Sequence, residues 1–183
     1  MKQFKLKFIL TITVLIILSL LLSSCVSESN NKSHWFVDEN GNFHTNDVSL
    51  AQKKIPFTII IPTYLPDIMG TNYPYQIDGP VKADKYHEVE VYISYYKDDK
   101  MIFITENNIT RIMSPTKELN PVYLDIAGTR VLRQIAQQMS STKITEGLGF
   151  DWIQNRLTFR VDTYSFNEDE SFKIVESMIK QLK

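Results

Sequence analysis

Residues 87–105, HEVEVYISYYKDDKMIFIT, decide the fold class of this chain. Over the first ten positions Val89, Val91, Ile93 and Tyr95 alternate with Glu88, Glu90, Tyr92, Ser94 and Tyr96. A period of two puts the first set on one face of a strand and the second on the other. Lys97-Asp98-Asp99-Lys100 turns the chain, and Ile102 and Ile104 resume the inward pattern, so the stretch reads as an antiparallel hairpin with one core face and one wet face.

Similar patterns lie on both sides. Residues 55–61, followed by Pro62 and Pro66, form a β-branched run that predicts a strand leading to a rigid corner. Residues 73–77 predict another strand, broken by Gly79-Pro80, and residues 109–113 a weaker one. Residues 122–126 and 129–133 flank Ala127-Gly128 as a second hairpin, and residues 143–152 and 157–163 flank Gln154-Asn155 as a third, with Trp152 as an inward anchor. Residues 35–43 suggest a small hairpin around Asn40-Gly41. Asp47 can cap a short helix through about residue 54. A second helix closes the chain: Asn167 and Glu170 form a capping pattern, and Phe172, Val175, Met178, Ile179 and Leu182 make one apolar stripe. The expected fold class is α+β, a curved antiparallel sheet of about six to eight strands with the C-terminal helix packed across it.

The chain's start says where such a domain is expected to reside. Lys2, Lys5 and Lys7 precede an uncharged apolar run at residues 8–22, which ends in Leu22-Ser23-Ser24-Cys25. A positive start, an apolar middle and small residues at the end describe a secretory signal. The last four residues resemble the lipobox of bacterial lipoproteins. That resemblance implies signal-peptidase recognition through Leu22, Ser23 and Ser24, cleavage before Cys25, and a diacylglycerol thioether on the Cys25 sulfur. The alternative is an uncleaved anchor, but a comfortable span needs roughly 20 residues. Both readings put the rest of the chain outside the cytoplasmic membrane. Val26 in place of aspartate gives no inner-membrane retention signal, so an outer membrane is possible if the cell has one. The expected organisation is a signal at 1–24, a lipidated cysteine and flexible tether at 25–45, and a single domain at 46–183.

Composition narrows the partners. The chain has 183 residues with 20 basic against 21 acidic side chains, and its N-terminal segment takes three of the lysines and none of the carboxylates. The remainder is mildly acidic and unsuited to nucleic acid, which needs clustered cations. With one cysteine there is no intramolecular disulfide, so the core must hold the fold.

Two segments together resemble an uncharacterised family of extracytoplasmic bacterial domains, the domain-of-unknown-function family 4367, found in anti-sigma-like and sporulation-associated proteins. They are residues 51–66 (AQKKIPFTIIIPTYLP) and the closing set of Trp152, residues 157–161 and residues 168–178. The family has no established catalytic residues, so the resemblance assigns none. A lipoprotein signal stands where its members carry a cytoplasmic anti-sigma domain, so sigma-factor binding is not carried over.

Motifs that carry chemistry are missing: no G-x-S-x-G elbow, H-E-x-x-H, C-x-x-C or phosphate loop occurs. Gly147-Leu148-Gly149 reads as a bend in a strand. Asp38, Asn40 and Asn42 mimic the opening of a calcium loop, but Phe43 and Ser49 stand where glycine and glutamate are needed. His34, His44 and His87 have no zinc spacing and read as surface histidines. The carboxylate pairs Glu88/Glu90 and Asp98/Asp99 read as a wet strand face and a turn. Tyr92 and Tyr96 share that wet face and are the candidate partner-binding residues. No catalytic residue, metal or cofactor is expected. The function these readings favour is a non-catalytic envelope lipoprotein that recruits another envelope component. A carrier of lipid or another apolar ligand in a cavity between sheet and helix is the alternative, and an unrecognised envelope enzyme the third. A roomy cavity under the last helix would favour the carrier, and a packed interior with exposed tyrosines the recruiter.

Overall fold

A computed structural model describes residues 35–69, 75–80, 88–112, 117–139 and 144–183. The lipobox residues Leu22, Ser23, Ser24 and Cys25, and two of the histidines, His34 and His87, lie outside them. The described residues form one nine-stranded antiparallel sheet with two α-helices. The strands are β1 (Trp35–Val37), β2 (Asn42–Thr45), β3 (Tyr75–Pro80), β4 (Glu90–Lys97), β5 (Lys100–Asn107), β6 (Val122–Ile126), β7 (Thr129–Met139), β8 (Ile144–Gln154) and β9 (Leu157–Tyr164). The helices are α1 (Val48–Gln52) and α2 (Glu168–Gln181). The spatial order is β1-β2-β3-β4-β5-β9-β8-β7-β6.

This corrects the expected α+β class with six to eight strands: the domain is sheet-dominated and larger in strand number. Two local causes account for the difference. The hairpin of β1 and β2, expected to lie in the tether at 25–45, belongs to the sheet, where Asn42–Thr45 pairs with β3. It is held there because Phe43 is fully buried beside Gly79, whose missing side chain makes room for the Phe43 ring. A Cβ on Gly79 would stand 2.9 Å from that ring, so Gly79 continues the strand instead of breaking it.

Conversely, residues 55–61 form no strand. Their backbone groups are met by side chains. Gln52 accepts from the Ile59 N–H at 2.9 Å and donates to the Phe57 carbonyl at 2.7 Å. Glu106 accepts from the Ile60 N–H through both carboxylate oxygens, at 3.0 and 3.1 Å, and Gln181 donates to the Ile61 carbonyl. Polar groups of a buried segment must find partners, and these side chains replace the strand ladder. The segment therefore lies over the core as a cover, with Ile59 and Ile60 buried. Residues 109–112 likewise form no strand.

Elsewhere local signals and structure agree. The β4–β5 register pairs Lys97 with Lys100 across an Asp98-Asp99 turn, and Asp98 takes the positive φ the tight turn needs. Val91, Ile93, Tyr95, Ile102 and Ile104 are buried on one face. Asn167 caps α2 in a full capping box with Glu170, and Asp47 caps α1. The last helix lays Ile174, Val175, Met178 and Ile179, all fully buried, into a cluster with Phe150, Trp152, Phe159 and Val161. Each such side chain contributes roughly 1.5–3 kcal/mol by leaving water. A hydroxyl contact between Thr163 and Ser171 at 2.8 Å and an ion pair between Arg133 and Glu168 at 3.1 Å fix the helix against the sheet.

Among the described residues the other face carries no α-helix. To pass from β5 to β6 at the far edge, the chain crosses this second face: the Arg111 N–H donates to the Thr158 hydroxyl at 3.2 Å, and that hydroxyl donates to the Ile109 carbonyl. The described part of the crossover meets β9 there, and Leu132, Gln134, Asp151 and Thr158 are buried on that half of the face.

Candidate functional site

Strand register turns the helix-free face into a grid. One row runs Asp78, Tyr92, Thr105, Arg160, Asp151, Leu132 from β3 to β7, and the next runs Gln76, Ser94, Phe103, Asp162, Gly149, Gln134. The third runs Tyr96, Met101, Tyr164, Gly147, Ala136. Three groupings on this grid carry chemistry.

The first is aromatic and open. Tyr92 and Tyr96 are 50% and 43% exposed, which places both candidate residues on the surface. The Tyr96 ring meets Phe103 edge-on at 5.5 Å, and Phe103 meets Tyr164 at 5.9 Å, so Tyr96 stands at the open end of an aromatic ladder. The Tyr92 hydroxyl donates to Glu90. Partial burial and then the neighbouring Glu90 push its pKa up to about 12, so the phenol stays protonated. Among the other candidate pairs, Glu88 is exposed two residues before this strand and Asp98/Asp99 form its turn.

The second grouping escaped sequence reasoning. Arg160 holds Asp162 at 2.9 Å and approaches Asp151 at 3.6 Å, while Gln134 donates to Asp151 at 2.8 Å. Burial pushes the Asp151 carboxyl up to about 6 against the pull of Arg160. Gly149 faces this cluster: a Cβ there would stand 2.7 Å from Asp162 Oδ1 and 3.4 Å from Arg160 Nη2. Gly147 does the same for the Tyr164 ring at 2.7 Å. The two glycines give space to side chains of the neighbouring strand, which replaces the expectation of a bend. The readable signal was their spacing of two, which puts both on one face.

The third centres on His44, expected to be an ordinary surface histidine. Its Nδ1 lies 2.6 Å from Asp78 and its Nε2 3.3 Å from Asp38, with the Phe36 ring stacked on it at 4.5 Å. Burial opposes its charge, but the hydrogen bonds to Asp38 and Asp78 outweigh that and raise its pKa. Asp38 Oδ1 also accepts from the Asn40 and Asn42 N–H groups, so the residue that mimics a calcium ligand works as the hinge of the β1–β2 turn. That backbone donation, above all from Asn42, lowers the pKa of Asp38.

Among the described residues, no cluster of three or more His, Cys, Asp or Glu side chains is arranged to hold a metal ion, and no helix is long and apolar enough to cross a membrane. A shallow groove of about 350 Å³ lies beside α2, lined by Tyr64, Lys173, Glu176 and Lys180 among others; it is at the surface, not under the helix. Compared with family models, curated proteins and solved structures, the chain matches none.

Proposed function

We propose that this protein is an envelope lipoprotein, anchored through acyl chains on Cys25, whose sheet domain recruits another envelope component without catalysing a reaction. The observation that carries this reading is the pair of exposed tyrosines, Tyr92 and Tyr96, on the open half of the helix-free face. Exposed aromatic rings held on a rigid strand are suited to recognition, because little conformational freedom is lost when a partner covers them. The packing of α2 weighs against the carrier: Ile174, Val175, Met178 and Ile179 are fully buried in the same cluster as Phe150 and Trp152. That space is filled by the protein's own side chains.

The test is a membrane pull-down with the full chain, its Cys25→Ala variant and a Tyr92→Ala/Tyr96→Ala variant. The anchored protein retains a partner, and the tyrosine variant loses it while keeping its circular dichroism spectrum. Fatty-acid labelling is absent from Cys25→Ala; label that persists there refutes the anchor, and a partner retained without the tyrosines refutes the face.

A further inference from the structure

Four aromatic rings elsewhere in this domain are paired with cations. Lys54 lies 5.9 Å from the Trp35 ring, Lys100 4.5 Å from Phe166, Arg130 4.1 Å from Tyr123 and Lys173 5.9 Å from Tyr64. Among the described residues, neither Tyr92 nor Tyr96 has a cation over its ring, although both are among the more exposed aromatics. On the helix-free face of β2 to β5 the register places Glu90, Asp78 with His44 paired to it, and no lysine or arginine; Lys97 and Lys100, at the turn, fall on the opposite parity. Asp78 is the cross-strand neighbour of Tyr92, and Glu90 accepts the Tyr92 hydroxyl. Donation to a carboxylate makes a phenol ring more electron-rich, which strengthens its attraction for a positive charge. At one margin the same face already holds a basic ring in this manner: His44 sits between Asp38 and Asp78 under the Phe36 ring.

Resting on the recruitment reading above, we infer that the partner is cationic: an extended basic segment of an envelope protein laid along β4, its lysine or arginine side chains over Tyr92 and Tyr96 and answered by Glu90. The two tyrosines are four residues apart on one strand, so their rings present positions about 13 Å apart, a spacing that residues four apart in an extended peptide reach. Charge complementarity selects this occupant over an anionic polymer or lipid headgroup, which Glu90 would repel.

The experiment is fluorescence anisotropy with the full lipidated chain in non-ionic micelles and three labelled probes: a lysine-rich decapeptide, its glutamate-rich counterpart, and a neutral oligosaccharide. The lysine peptide is expected to bind, with affinity falling when salt is raised. Removing both rings in Tyr92→Ala/Tyr96→Ala is expected to weaken it about tenfold. Glu90→Gln, which keeps both rings, is expected to weaken it about threefold. Circular dichroism of each variant matches the parent. Failure of the lysine peptide to bind, or binding that ignores all three substitutions, overturns the inference. If the oligosaccharide or acidic peptide binds through the tyrosines instead, the face remains a docking surface and the cationic partner is refuted. If no probe depends on the tyrosines, the recruitment reading of this face falls with it.

Discussion

At Glu106 a carboxyl lies wholly inside the core, with one backbone N–H from Ile60 donating to both its oxygens. Burial pushes its pKa from 4.5 up to about 8. The folded state therefore holds the proton more tightly than the unfolded chain does. The stability this gives is complete below about 4.5, declines between the two values and is lost above about 8. Glutamine keeps an acceptor for Ile60 without the charge. Glu106→Gln should flatten the decline in urea-denaturation stability between about pH 5 and about pH 9, and should exceed the parent at the alkaline end. Parallel curves for the two proteins would contradict the burial. His44 offers a second test, since its pKa is raised above 6.5 by Asp38 and Asp78. Its imidazole resonances should titrate above that value, and the midpoint should fall in Asp78→Asn; an unchanged midpoint would deny the contact.

Among elements, the β8–β9 hairpin is constrained by the two glycines of β8, which face atoms of β9 at close range. Gly149→Ala places a Cβ against the Asp162 carboxylate, which can shift, and should cost about 1–3 kcal/mol. Gly147→Ala places one 2.2 Å from the Thr163 carbonyl oxygen, which is backbone, and should cost more. Denaturation midpoints measure both, and the reverse ranking would refute the register. This hairpin also shows where sequence reading stops. Its strands and inward Trp152 were legible, because alternation and burial are local signals. The turn was expected at Gln154-Asn155 but lies at Asn155-Arg156, both at positive φ. That one-residue shift would pair Asp151 with Thr158; the actual register pairs Asp151 with Arg160, and the charged cluster follows from it. The capping box of α2 was legible for the same local reason. The cover at residues 55–61 was not, since β-branched residues look alike whether their N–H groups meet a strand or the side chain of Glu106, 46 positions away. Tyr92 and Tyr96 were found by alternation alone, whereas their lack of cations depends on what other strands bring near.

Across the whole molecule the titrating groups act in one direction above mild acid. Asp151 gives stability that is lost between 3.8 and about 6, Glu106 between 4.5 and about 8, and His44 as pH rises through its raised value. Asp38 and Asp47, whose pKa values are lowered, lose theirs on the acid side below 3.8. Scanning calorimetry should therefore place the highest Tm at about pH 4, where the acid-side losses end and the losses on rising pH begin; a maximum on the alkaline side would contradict this distribution of buried acids. The topology has its own outcome. Residues 35–107 and 122–164 are two meanders, each contiguous in sequence, and they are joined into one open sheet by seven register pairs between β5 and β9. Severing the polypeptide within the crossover would break none of the described strands. The two halves could be produced apart and would reassemble along that seam, so the molecule is already divided in the way a split reporter requires.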